Sequence, residues 1–372
     1  MAEVGTTNIL ESGISRSYLI QFLSGTAIWM VGLFIPNLAS ILGASNAMVG
    51  LIGGAYGLTI LVSSYFFGFR ADVEGALRYL RIGLLMSAVS AAVLAVAYDP
   101  LSLLIFYSVV GFSHGIYPAA LVTYAYNVRA SIGKFSALGS LGWTAGLAVA
   151  GLVATVYALG GVFLLGSLIF FLAFVVSFML PKIEEVSVRA PLFPVGLMKR
   201  NIAVVLPFLL RHTGAWAVWI ILPLYLIQLG ADYFWISLIY AVNPLAQVAI
   251  MTFLTKRSGS LMLIQHGHIM SVLLFALFPL ANVYWQVVPV MVLVALSWSF
   301  LYVGSLEWMV ETNPERATAV GVLNSTLNLS TIVGSIAGGF ISQTAGSYTS
   351  TMYFALALST VGLILFRVLA KR

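Results

Sequence analysis

The chain has 372 residues, of which 61% are hydrophobic and only 8% charged, and it contains no cysteine. Soluble domains average about 25% charged residues; this composition excludes an ordinary soluble fold, and the missing thiols exclude disulfides, thiol catalysis and cysteine-bound metal. The formal net charge of +6 is explained by basic loops lying beside anionic lipid, so no nucleic-acid partner is required.

A bilayer core takes roughly 20 apolar residues in helical form. In chain order, the apolar pattern predicts spans at 17–36, 47–69, 79–98, 101–127, 135–157 and 161–180, then 202–228, 233–254, 261–280, 286–310, 317–342 and 349–369. The polar residues 1–15 lead into a first span too long for a signal-peptide core, which marks it as an uncleaved membrane helix. The outer turns, Asp99-Pro100 and Gly230-Ala231-Asp232, are short, and the longest non-apolar stretch, 181–200, falls mid-chain. The expected fold is an all-α polytopic membrane protein of twelve transmembrane helices. Residues 1–180 would form an N-terminal six-helix bundle, 181–200 a cytoplasmic linker and 201–372 a C-terminal six-helix bundle.

Sixteen of the seventeen Lys and Arg residues fall in seven clusters: Arg16; Arg70, Arg78, Arg81; Arg129, Lys134; Lys182, Arg189, Lys199, Arg200; Lys256, Arg257; Arg316; and Arg367, Lys371, Arg372. Two apolar passes separate successive clusters. Basic residues flanking membrane helices stay in the cytoplasm, so both termini are expected there, in the cell membrane. The halves also share a spacing. Gly146 and Gly151 in the fifth span recur as Gly334 and Gly339 in the eleventh, each offset by 188 residues. Such duplication suits pseudo-symmetric bundles with a substrate site between the repeats, although small residues serve any tight helix contact.

Between the second and third spans stands Gly68-Phe69-Arg70-Ala71-Asp72-Val73-Glu74-Gly75-Ala76-Leu77-Arg78. This loop, with six-plus-six helices, resembles the major facilitator superfamily, whose signature there is Gly, Asp four residues on, Gly three further, then basic residues. Gly68, Asp72 and Gly75 match in register; Ala76 and Leu77 replace the basic pair, and Arg78 arrives late. The resemblance implies that Asp72 latches an inner gate, with Gly68, Gly75 and Arg78 shaping the loop. An acid at a helix N-terminus is worth roughly 0.3–1 kcal/mol, which makes the role reasonable; a solvated loop acid is the plainer alternative. Other family patterns are degraded: Tyr107 holds the place of a fourth-span arginine, Leu147 that of a fifth-span proline, and the loop copy around Lys256-Arg257-Ser258-Gly259 has no acid.

In that family the first, fourth, seventh and tenth spans line the cavity, and the unusual residues fall on them. Arg211 lies about 14 Å into the seventh span at 1.5 Å per residue. A charge there costs at least about 2.5–3.5 kcal/mol, so water, a counter-ion or substrate should face it; an ion pair between helices is the alternative. Glu307, roughly one turn from the end of the tenth span, is a candidate for proton exchange or for snorkelling to the interface, and Glu311 reads as interfacial. Tyr107, Gly111, His114, Tyr117, Leu121 and Tyr124 share one stripe of the fourth span. His114, Tyr117 and Tyr124 are therefore candidate substrate contacts or packing residues, and His114 a second candidate for proton coupling. Gln21 and Trp29 of the first span would complete the cavity wall. His212 should contact a neighbouring helix, and His266 and His268 read as interfacial. The amide pairs Asn243 with Gln247 and Asn324 with Asn328 suit hydrogen bonds between helices.

No catalytic or metal-binding motif stands in a credible context, so neither an enzyme nor a cofactor is expected, and a lone central arginine does not make a channel's selectivity ring. The expectation is a monomeric secondary transporter in contact with membrane lipids. It would move a small organic solute, anionic or carboxylate-bearing, by alternating access coupled to protons. A proton-driven exporter of lipophilic compounds is the alternative, followed by a uniporter or a non-transporting membrane sensor.

Overall fold

A computed structural model describes residues 2–182, 195–253, 259–314 and 316–370; the side chains of 2–10, 69, 72, 73, 132, 133, 252, 253, 316 and 317 lie outside the description. The helices are α1 (Ala2–Leu33), α2 (Ile35–Ile41), α3 (Asn46–Glu74), α4 (Ala76–Leu94), α5 (Pro100–Asn127), α6 (Ile132–Ser177), α7 (Val195–Arg200), α8 (Ile202–Gln228), α9 (Tyr233–Phe253), α10 (Ser260–Leu277), α11 (Val287–Thr312), α12 (Arg316–Ala345) and α13 (Thr349–Leu369). Among the described residues, 11 helices are long and apolar enough to cross a bilayer. Helices answer the hydrocarbon's demand that every backbone polar group be bonded within the segment.

Eleven is one fewer than the expected twelve because α6 is a single run of 46 residues. Straight, it would measure ~69 Å, over twice the ~30 Å hydrocarbon core. It is not straight: Tyr157 (φ −119°, ψ 15°) and Ala158 (φ 56°, ψ −177°) leave helical geometry, where the sequence placed the turn between its fifth and sixth spans. The left-handed φ belongs to an alanine rather than to the Gly160-Gly161 pair just beyond it.

Two compact units divide the chain: Met1–Leu38 with Leu58–Arg189, and Ala39–Gly57 with Ala190–Arg372. In the first, α1 packs along α6, and α4 lies against α5 and α6. A Cβ on Gly142 would come within 2.4 Å of the Phe22 carbonyl oxygen, and one on Gly146 within 2.2 Å of the Thr26 carbonyl oxygen. In the second unit, α8 is held by α12 and α13, while α10 packs on α11 and α13. Gly334 there repeats the role of Gly146: its Cβ would lie 2.4 Å from the Thr213 carbonyl oxygen. Gly339 instead faces Gly50 in the N-terminal part of α3, where the Ala47 N–H donates to Gln343 Oε1 at 2.8 Å.

The turn before α5 is held by Asp99. Its carboxylate accepts from the Ser102 N–H at 2.7 Å, and Ser102 Oγ accepts from the Asp99 N–H at 3.1 Å. The Ser102 amide, then the Ser102 hydroxyl, hold this carboxyl below its ordinary range. A lowered native pKa means that the cap's stabilisation is present above the unfolded value and lost as pH falls through the native one. The Ser102 amide should therefore lose its protection against deuterium exchange, measured relative to the intrinsic rate at each pH, in Asp99→Ala at neutral pH and in wild type only in acid; equal protection in the two proteins at neutral pH would remove the cap.

Candidate functional site

Within the first unit, α1, α5 and α6 line an open cavity of about 340 Å³, at the small end of the ~300–1,000 Å³ typical of ligand pockets. Gln21 and Trp29 come from α1, Tyr117 and Pro118 from α5, and Ser136, Ser140 and Trp143 from α6. The indoles of Trp29 and Trp143 stack with centroids 4.1 Å apart and planes 15° from parallel. A Cβ on Gly139 would lie 2.5 Å from Gln21 Nε2, so glycine at that position leaves room for the amide. Pro118 has no N–H to give the His114 carbonyl, which loosens the helix beside the cavity. None of the described lining residues is charged.

Three sequence candidates, Gln21, Trp29 and Tyr117, thus come together, and Trp143 joins them. Its signal was the spacing of Ser136, Ser140 and Trp143 on one face of α6, beside the glycines that meet α1.

The rest of the α5 stripe is packed instead. His114 is buried with its ring 5.2 Å from that of Phe170. Tyr124 is fully buried and donates its hydroxyl proton to the Pro181 carbonyl at 3.0 Å, at the end of α5 rather than at mid-depth. The shared face contacts α6 and the start of the linker, which is where both side chains are used.

In the second unit, Arg211 is 2% exposed, enclosed among α8, α10 and α11 rather than open to water. Its Nε donates to Ser271 Oγ at 2.7 Å and an Nη to Ser297 Oγ at 2.9 Å; the guanidinium carbon lies 5.7 Å from the centre of the Phe275 ring. Among the described residues no carboxylate pairs with it. The two serines also bond each other at 2.6 Å and the Gly267 carbonyl at 2.8 and 3.1 Å.

His212 meets neighbours as expected, its ring 5.0 Å from Trp298 and its Nε2 accepting from the Trp216 indole at 3.0 Å. His266 is partly exposed, whereas His268 is wholly buried against Phe366, 5.6 Å away. The interfacial expectation for His268 is therefore corrected: its face of α10 turns inward to α13. Gln247 donates to Asn243 at 2.8 Å within α9, so these amides bond each other along one helix. The sequence reading passed over an amide clasp, in which Asn201 donates to Asn313 at 2.9 Å and accepts from the Trp308 indole at 3.2 Å. Glu307 is partly exposed on α11.

At the signature loop, the Asp72 side chain lies outside the described residues. Gly75 has φ 106°, a conformation that costs glycine little, and it separates α3 from α4. Arg78 pairs with Glu74 at 3.4 Å, and Arg70 reaches the same carboxylate at 3.8 Å. The Tyr79 hydroxyl also donates to Glu74. Gly68 faces Ala119, 3.8 Å from where its Cβ would stand.

The profile of the Major Facilitator Superfamily matches residues 17–314, and the chain belongs to this family of membrane transporters, which are not enzymes. It is 21% identical to the uncharacterized MFS-type transporter MJ1560 of Methanocaldococcus jannaschii, over 95% of this chain and 97% of that protein. Its fold is similar to that of the nucleoside transporter NupG, with a TM-score of 0.80 and 15% identity, covering 98% of this chain and all of the other. It is also similar to the human organic anion transporter MFSD10, with a TM-score of 0.72 and 15% identity over 96% and 99% of the two chains.

Proposed function

We propose that this transporter is a secondary carrier that moves a small organic solute by alternating access, with the solute held in part by the cavity of the first unit. The observation that carries the reading is the convergence of Gln21, Trp29, Tyr117 and Trp143 on one open cavity of about 340 Å³. The break at Tyr157–Ala158 supports twelve crossings in a monomer, and the basic clusters support cytoplasmic termini in the cell membrane. The enclosed guanidinium of Arg211 gives no support to an anionic solute, and we assign it to helix positioning. The aromatic wall also favours a second reading, export of lipophilic compounds.

A thermal-shift screen in detergent selects the solute; counterflow in liposomes then tests the function. Labelled solute should accumulate transiently above its equilibrium level with no ion gradient, and simple equilibration would indicate a channel-like leak.

Proton coupling through Glu307 rests on its place, partly exposed on α11 among apolar neighbours. A carboxyl that binds its proton in one gate state and releases it in the other links protons to solute. Glu307→Gln should abolish uptake driven by a pH gradient and spare exchange of labelled for unlabelled solute. Uptake at the wild-type rate would exclude this route.

A further inference from the structure

Resting on the reading that the first unit's cavity holds the solute, we propose that it takes an uncharged planar ring with a hydrogen-bond acceptor on its edge, and that Trp143 reads the acceptor. The ring of Trp143 lines the cavity, yet its Nε1 is buried and has no hydrogen-bond partner among the described residues. An indole nitrogen only donates, and a buried donor left unpaired is costly. The group that completes it must therefore be an acceptor, and we assign that acceptor to a solute in the cavity that the same side chain lines.

Flatness follows from the wall. Trp29 and Trp143 stack 4.1 Å apart at 15°, fixing each other's orientation and leaving rigid aromatic surface beside a small space. Such a surface favours an offset-stacked or edge-on ring over a puckered one. Neutrality follows from the remaining residues. Gln21 sits over Gly139 with an amide NH2 to donate and a carbonyl oxygen to accept, and Ser136 and Ser140 add hydroxyls. No lysine, arginine or carboxylate lines the cavity among the described residues, so a full charge would lose its water without gaining a partner.

The test is calorimetric binding to the full-length protein in detergent, using nicotinamide and 2-quinolone as flat neutral probes. Nicotinate is the charged counterpart, and cyclohexanecarboxamide keeps the amide without the flat ring. Both flat probes should bind, with the other two at least about tenfold weaker, as expected for a lost ring contact or an unpaired charge. Trp143→Phe keeps the ring stack and removes the donor, and should weaken both flat probes by about three- to tenfold. Gly139→Ala displaces the flexible end of Gln21 rather than backbone, and should weaken them independently of Trp143. The proposal is overturned if neither flat probe binds, if nicotinate binds as tightly as nicotinamide, or if Trp143→Phe leaves affinity unchanged. Counterflow of some other solute without binding of either flat probe would sink this inference and leave the carrier standing. Binding with the expected ranking but no counterflow of any bound solute would do the reverse.

Discussion

Replacing Arg211 with methionine should leave the thermal midpoint close to that of wild type, whereas alanine and lysine should each lower it. The guanidinium is buried without a carboxylate partner among the described residues, held by Ser271 at 2.7 Å and Ser297 at 2.9 Å. Methionine keeps most of the packing volume and removes a desolvated charge, an exchange that is often neutral or stabilising for buried ions. The serines it abandons stay bonded, because the Gly267 carbonyl accepts from both. Alanine leaves a void and should cost about 2–4 kcal/mol. Lysine keeps the charge and cannot fork to both hydroxyls, so it should cost about 1–3 kcal/mol. Ligand affinity in the first unit's cavity should be unchanged in all three. A methionine variant as unstable as the alanine one would mean that the charge itself holds the helices. A folded methionine variant that no longer binds ligand would return Arg211 to the substrate site.

Gly146→Ala and Gly334→Ala should each destabilise the protein, although each adds only one methyl group. The new carbon would stand 2.2 Å from the Thr26 carbonyl oxygen in one case and 2.4 Å from the Thr213 carbonyl oxygen in the other. Both obstacles are backbone, so α1 must move off α6, or α8 off α12, along much of their length. Overpacking of this kind costs about 1–3 kcal/mol and sometimes more; the upper end is expected here, read as a lower midpoint and less folded protein after extraction. Gly160 is the control, because nothing lies within 4 Å of its Cβ position. Gly160→Ala should be neutral or gain up to about 1 kcal/mol from helix propensity. Equal behaviour of the three variants would show that close approach is not what selects glycine.

Those two glycines also show what the sequence made legible. Their offset of 188 residues was visible in the letters, and the structure gives them matching contacts with Thr26 and Thr213. Gly339, at the same offset from Gly151, meets Gly50 of α3; a one-dimensional repeat does not say which helix stands opposite. The spans were legible because hydrocarbon imposes length and composition on every crossing segment. Side-chain facing was legible only in part. Tyr117 reached the cavity while His114 and Tyr124, on the same stripe, went to Phe170 and Pro181. In an apolar helix all faces are alike in composition, so neighbours rather than polarity decide which side is open. Trp143 escaped notice for the same reason, and so did the burial of His268. Arg211 stood out as the lone basic residue off the clusters, but two serines on other helices, unremarkable in sequence, determine what it does.

The native chain contains no cysteine, so a single Ser140→Cys substitution gives one thiol, placed in the cavity wall. Labelling it with a membrane-impermeant maleimide in right-side-out and in inverted vesicles tests directly whether the cavity opens to each side in turn. The thiol is expected to react from either face, and a saturating cavity ligand should slow both reactions. Reaction in only one of the two vesicle orientations, with or without ligand, would contradict alternating access at this cavity.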